Sequence, residues 1–200
     1  MKKLIIFLVT GIIWCNIVMG KEIRTRFGFY IDLPNNFIAF QDQNLGDLLK
    51  EYEGSDINKE FFNDIAAGST KKDLNVEFYL PKNLDPTINS VNINYQTDVS
   101  VDSTLKNFEL KDLCTYYNKI FQELFKNKKI NQYYCKLEKK FKPKFTKVVH
   151  TKHDGSMPGQ IMIQYQFDIN KKMLTLTVAC EPKNCNSMQK TGEYIIKSID

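Results

Sequence analysis

Histidine, tryptophan and glycine are scarce in this chain: two, one and nine among 200 residues. No glycine-rich loop of the kind that cradles a phosphate group occurs, which argues against the common nucleotide-binding motifs. No serine sits in a G-x-S-x-G elbow; the nearest run, Asp154-Gly155-Ser156-Met157-Pro158-Gly159, is a turn by composition. The two histidines, His150 and His153, lie beside Asp154, but in an extended segment an offset of three puts side chains on opposite faces. They are expected to be solvent-facing residues near a turn rather than metal ligands. Repeats, low-complexity tracts and Pro/Gly/Ser-rich linkers are also missing, so a single domain is the natural reading. Beyond the first nineteen residues no apolar run approaches the roughly 20 residues of a bilayer span, and the mature chain is expected to be soluble.

The one long apolar run is at the start. Met1-Lys2-Lys3 precedes Leu4 to Met19, and Val18 and Gly20 supply compact residues just before Lys21. A positive start, a short apolar stretch and a compact end are what the export machinery reads. Residues 1–20 are therefore expected to be a cleaved signal peptide and 21–200 a single exported domain, periplasmic or secreted. An uncleaved anchor would need a longer run. Lipid attachment at Cys15 is disfavoured by the bulky Trp14 directly before it.

Four cysteines follow the signal: Cys114, Cys135, Cys180 and Cys185. An even number in an exported chain reads first as disulfides, and four cysteines allow three connectivities. The preferred pairing is the local one, Cys114–Cys135 and Cys180–Cys185. A four-thiolate zinc site would want C-x2-C knuckles, and neither spacing supplies one.

Periodicity outlines the elements. Phe29, Ile31 and Leu33 alternate with Tyr30 and Asp32 up to Pro34, a strand closed by a turn. Residues 45–67 read as helical. Residues 74–80 and 88–97 return to period two, with Val91, Ile93 and Tyr95 on one face and Asn92, Asn94 and Gln96 on the other. A long helix is expected from about Thr104 to Lys126, striped by Leu110, Leu113, Cys114, Tyr117, Ile120, Phe121, Leu124 and Phe125. Strands are expected over 144–152, 160–169 and 173–180, with Asn170-Lys171-Lys172 turning a hairpin, and a last helix over 187–199. The sum is an α+β sandwich, an antiparallel sheet between helices.

In order and spacing the chain resembles the PsbP-like, Mog-type α+β fold family. The resemblance rests on the opening strand Gly28-Phe29-Tyr30-Ile31-Asp32-Leu33-Pro34 and the late strand Leu174-Thr175-Leu176-Thr177-Val178. The closing helix Tyr194-Ile195-Ile196-Lys197-Ser198-Ile199 completes it. It spans most of residues 23–200; the helical segment 45–67 and the two cysteine pairs are additions to the pattern. It implies an antiparallel sheet between helices and a binding or assembly role without an active site.

No catalytic residue, metal ligand set or cofactor is expected. Asp98, Ser100, Asp102, Thr104 and Glu109 fit several positions of a calcium loop, but Ser103 replaces its glycine and Lys106 an oxygen ligand. A helix N-terminus capped by Asp102 or Ser103 is the simpler account. The strongest charge feature is residues 126–152, with ten lysines and one acid, Glu138. The rest of the mature chain carries sixteen basic and twenty-two acidic residues, a balance of −6. Tyr133, Tyr134, Phe141 and Phe145 are interleaved. Lys136, Lys139, Lys140, Lys142, Lys144 and Lys147 form the candidate surface for an anionic lipid, a polysaccharide or an acidic protein of the envelope. Nucleic acid fits the charge but not the compartment. The plainer account is a strand edge blunted by lysine, with the aromatics in the core.

The functional expectation is an exported, non-catalytic binding or assembly factor of the bacterial cell envelope. The alternative is an envelope hydrolase with a dispersed site, which close-set buried carboxylates or a deep polar pocket would favour. A purely structural subunit would show a large exposed apolar patch.

Overall fold

A computed structural model describes residues 20–40, 76–124 and 130–200. Residues 1–19 of the expected signal peptide, Cys15 among them, and the helix expected over 45–67 lie outside those residues. Among the described residues nine strands and three helices follow in order: β1 (Gly20–Arg24), β2 (Tyr30–Pro34), β3 (Phe37–Ala39), β4 (Val76–Pro81), β5 (Ser90–Gln96), α1 (Val101–Asn107), α2 (Leu110–Leu124), β6 (Gln132–Glu138), β7 (Val148–Asp154), β8 (Ile161–Ile169), β9 (Lys172–Cys180) and α3 (Cys185–Ser198). β1 and β2 pair as a small ribbon. The other strands form one antiparallel sheet in the order β3-β4-β5-β9-β8-β7-β6.

Alternation decides which side chains face which layer. Leu174, Leu176, Val178 and Cys180 of β9 share a face with Ile163, Tyr165 and Phe167 of β8 and with Val91 and Ile93 of β5. That face is the main core, closed by Ile195, Ile196 and Met188 of α3 and by Ile31 and Leu33 of β2. Gly192 lets α3 come close. A Cβ there would stand 2.6 Å from Val178 Cγ2. The opposite face carries a smaller cluster, in which Val101 of α1 and Leu113 of α2 meet Val149 and Met173 of the sheet. The sheet is thus sandwiched by helices, as the sequence patterns imply.

Asn170 and Lys171 both adopt positive φ, 52° and 64°, so the β8–β9 hairpin turns through the left-handed pair that matches strand twist. The expected helix over 104–126 is instead two. The Asp168 carboxylate accepts hydrogen bonds from the Val101 and Asp102 amides (2.7 and 2.9 Å) and from the Ser100 hydroxyl, and Ser100 is the cap. That starts α1 earlier than expected and settles the near-calcium segment as a helix N-terminus. Phe108 is extended and ends α1. Leu105 and Leu110 would lie about 140° apart around one continuous helix. The break lets both pack on the same cluster.

Both local disulfides form, Cys114–Cys135 and Cys180–Cys185, with Cα separations of 5.8 and 5.1 Å. The first ties α2 to β6; the second fixes the corner between β9 and α3. Closing about twenty residues, the first is worth about 3 kcal/mol in the chain-entropy description. A Cys114→Ser/Cys135→Ser variant is expected to lose about that much in urea unfolding, with α2 exchanging its amide protons faster. A loss confined below 0.5 kcal/mol would show that α2 is held by packing alone.

Candidate functional site

The helix-covered face of the sheet is where the polar residues concentrate. Register places Gln166, Thr175 and Asn94 side by side across β8, β9 and β5. The next row, two residues along, is Thr151, Gln164, Thr177 and Asn92. Above them α2 lies across the sheet and presents Leu113, Tyr116, Tyr117, Ile120 and Phe121. Between amide floor and helical wall runs a groove of about 520 Å³, inside the usual size range of small-molecule sites. Among the described residues that line it, none is an acid, a base or a cysteine.

Several polar atoms in this layer lack partners among the described residues: Asn94 Oδ1, Gln166 Oε1, Thr151 Oγ1, His153 Nε2 and Asn118 Oδ1. Gln166 is only 6 % exposed and Thr151 1 %, so water does not freely reach them. His153 stacks on Phe121, ring centres 4.0 Å apart, and its Nδ1–H donates to the Asp154 carbonyl at 2.6 Å. Burial lowers its pKa, so the ring is neutral and Nε2 is a lone-pair acceptor, with Gln164 near it. Burial also pushes the Tyr117 hydroxyl up to about 12, with Gln166 beside it working the other way.

Both histidines are therefore buried, His150 1 % and His153 0 % exposed, which corrects the solvent-facing expectation. The reason is lateral: β7 lies between β6 and β8, and both of its faces are covered. They do point to opposite faces. On the main-core side His150 accepts from the Tyr134 hydroxyl (3.0 Å), donates to Glu138 (3.3 Å) and stacks on Tyr165. Tyr165 in turn donates to Glu193, which also takes Gln189 and the Lys140 ammonium.

A hydroxyl–imidazole–carboxylate chain is the arrangement of catalytic triads. Here its members are tuned the wrong way. Burial takes His150 down to about 4 against the pull of Glu138, and burial first, then Glu193 and Glu138, push Tyr134 up to about 12. The imidazole is a poor base, the phenol a poor nucleophile, and neither lines the groove.

The six candidate lysines are all exposed, on edge strand β6 and the loop that follows it. Four sit in ion pairs: Lys136 with Glu138 (3.4 Å), Lys140 with Glu193, Lys144 with Asp200 (3.9 Å) and Lys147 with Asp102 (2.9 Å). Lys139 and Lys142 stand among them. Phe141 and Phe145 are core residues, packed on Tyr165 and Phe167. Only Tyr133, with Lys152 over its ring, remains an exposed aromatic of the segment. Among the described residues no group of acids, histidines and cysteines is arranged to hold a metal ion. None of their helices is long and apolar enough to cross a membrane.

The amide face of β5 is legible in the sequence but the groove is not, because its floor is completed by β8 and β9, 70 and more positions away, and its wall by α2. No protein-family model matches the chain, and no curated protein matches it in sequence. Structural comparison does find chains of similar fold. The solution structure of cyanobacterial PsbP (CyanoP) from Synechocystis sp. PCC 6803 is similar over 94 % of this chain and 95 % of that one. Its TM-score is 0.55 and its sequence identity 8 %. At that identity the likeness concerns the fold, and it bears out the resemblance carried by the opening strand, the late strand and the closing helix: this chain has a PsbP-like α+β fold.

Proposed function

We propose that this is an exported, non-catalytic binding or assembly protein of the bacterial cell envelope. The observation that carries the reading is the groove, rich in hydrogen-bonding groups and devoid of any ionised or nucleophilic pair. A hydrolase needs a nucleophile or a water activated by a base of suitable pKa. A polar cavity without one is suited to holding a ligand. Export is supported by the two disulfides, which persist in oxidising compartments, and by the leader-like residues 1–20.

The lysine-rich edge gives the same reading a second surface. Exposed ion pairs are worth about 0–1 kcal/mol each, so an anionic surface competes for Lys136, Lys144 and Lys147 at little cost. Together with Lys139, Lys140 and Lys142 they are suited to orient the domain toward anionic lipid, polysaccharide or an acidic protein.

Two measurements test the proposal. Intact mass of the exported protein is expected to show a chain beginning at Lys21 with four oxidised cysteines. A species keeping residues 1–20, acylated at Cys15 or carrying free thiols counts against export. In sedimentation with anionic vesicles at low salt the protein is expected to partition, and to be released at high salt. Lys136→Gln/Lys139→Gln/Lys140→Gln/Lys142→Gln is expected to abolish the effect. Equal partitioning of parent and variant makes the edge a solubilising surface only.

A further inference from the structure

We infer that the groove between α2 and the sheet is a saccharide-binding site, specific for a neutral sugar; this rests on the binding reading above and names its ligand class.

Three properties of the groove select that chemistry. The described residues of its lining carry no charge, so among them an ionic ligand would find no counter-charge to offset its lost hydration. The two unpartnered atoms among the described residues of its lining are amide oxygens, which can only accept. Asn94 Oδ1 and Gln166 Oε1 belong to residues that line it, and Thr151 Oγ1 and His153 Nε2 stand in the same layer of the sheet. The Asp154 carbonyl can only accept, so it fixes the His153 proton on Nδ1 and leaves Nε2 as an acceptor. A ligand that completes this set must bring several donors close together. Hydroxyls on adjacent ring carbons do so.

The opposite wall, supplied by α2, is apolar and aromatic: Tyr116, Tyr117, Ile120 and Phe121. A sugar ring has the matching two-sidedness, with hydroxyls around its rim and a C–H face that packs on aromatic rings. The floor repeats along the strands, with the Gln166–Thr175–Asn94 row followed two residues on by Gln164–Thr177–Asn92. That spacing of polar rows, about 7 Å, provides for more than one ring. A neutral peptide is the competing occupant. Its N–H groups alternate with carbonyls along the backbone, so it brings fewer donors to one spot than hydroxyls on adjacent ring carbons do.

Gln166 also separates a binding role from a structural one. Its buried Oε1 has no partner among the described residues, while its amide group stands at the Tyr117 hydroxyl, so removing the side chain relieves one desolvation cost and loses one hydrogen bond. Gln166→Leu is therefore expected to leave the melting temperature nearly unchanged while weakening sugar binding about tenfold or more. Asn94→Ala is expected to weaken it with little change in melting.

The experiment is saturation-transfer NMR and calorimetry on the mature, oxidised protein with maltose, cellobiose and chitobiose. Capped trialanine and glucuronic acid serve as competitors of other classes. Binding of at least one neutral disaccharide, lost in Gln166→Leu and absent for glucuronic acid, is the expected result. Three outcomes overturn the assignment: no response from any of the three sugars, sugar binding unchanged in both variants, or capture of the peptide in their place. Export and the basic surface are judged separately by the mass and vesicle measurements, so failure here leaves those results standing.

Discussion

Replacing Phe167 with alanine is expected to cost about 3–5 kcal/mol of stability, the range for removing a fully buried aromatic ring. Phe167 is completely buried near the turn end of the β8–β9 hairpin. Its ring lies 4.3 Å from that of Phe145, which the loop after β6 folds down onto the sheet. Phe141, four residues earlier, meets Tyr165 edge-on at 5.6 Å. The two contacts together peg the lysine-rich loop to the main core. Truncating Phe167 removes one peg and leaves a void that β-strand neighbours cannot close. Since domains of this size hold about 5–15 kcal/mol in all, the variant is expected to be partly unfolded at 37 °C. Urea denaturation followed by circular dichroism measures it. Phe108→Ala is the control: that ring is 55 % exposed and its loss is expected to stay within about 0.5 kcal/mol. Equal losses in the two variants would mean that the loop is not anchored through Phe145.

Acid is the second large perturbation. In the unfolded chain His150 takes a proton near its ordinary value of 6.5, whereas in the folded protein burial delays that to about 4. Between those values the unfolded state binds more protons, so stability falls as pH drops from 6.5 to 4. At about 1.4 kcal/mol per pH unit the loss from this one group approaches about 3 kcal/mol. Glu138 continues the trend over the next window. Burial raises its pKa, but the Lys140 and Lys139 amides, His150 and Lys136 outweigh that and hold it near 2, against 4.5 unperturbed. Its contribution is present above 4.5 and is lost as pH falls toward 2. His153, also lowered, adds to the first window.

The groups facing His150 are Tyr134, Lys136 and Glu138 of β6, Lys140 of the loop after it, Tyr165 of β8 and, through Tyr165, Glu193 of α3. All are locked together in the neutral-imidazole form. Melting temperatures recorded from pH 7.5 to 4 are expected to fall steadily below pH 6.5. His150→Gln, which does not titrate, is expected to start lower at pH 7.5 and to flatten much of that slope. A wild-type protein equally stable at pH 7 and 4.5 would contradict the buried, neutral assignment.

Much of the scaffold was legible in the sequence because its signals are local. The alternation of β8 and β9, the turn at Asn170-Lys171 and the apolar stripe of α3 each need only their own residues. Strand β6 was not legible. Its two faces are both half-exposed at the sheet edge, so no period-two pattern marks it. The split between α1 and α2 depends on Asp168, some sixty-six positions from the amides it holds. The histidines' burial and the polar rows of the groove depend on which strands become neighbours, and that information is not carried by any single stretch. Cysteine pairing was readable because both bridges are short in sequence. The basic segment was readable as a charge pattern, but the acids that neutralise four of its lysines include Asp102, Glu193 and Asp200, all outside it.

The strand order has a consequence for the timing of folding. β9, the last strand to be synthesised, sits fourth of seven in the sheet, hydrogen-bonded to β5 on one side and β8 on the other. Until it arrives, β3-β4-β5 and β6-β7-β8 are two fragments with exposed inner edges and no shared core. Vectorial, N-terminus-first folding therefore has no complete intermediate to settle into, and the final assembly waits on contacts of long sequence separation. A chain of this connectivity stays slack while it is being made. That is the state in which a polypeptide can be threaded across a membrane before it closes.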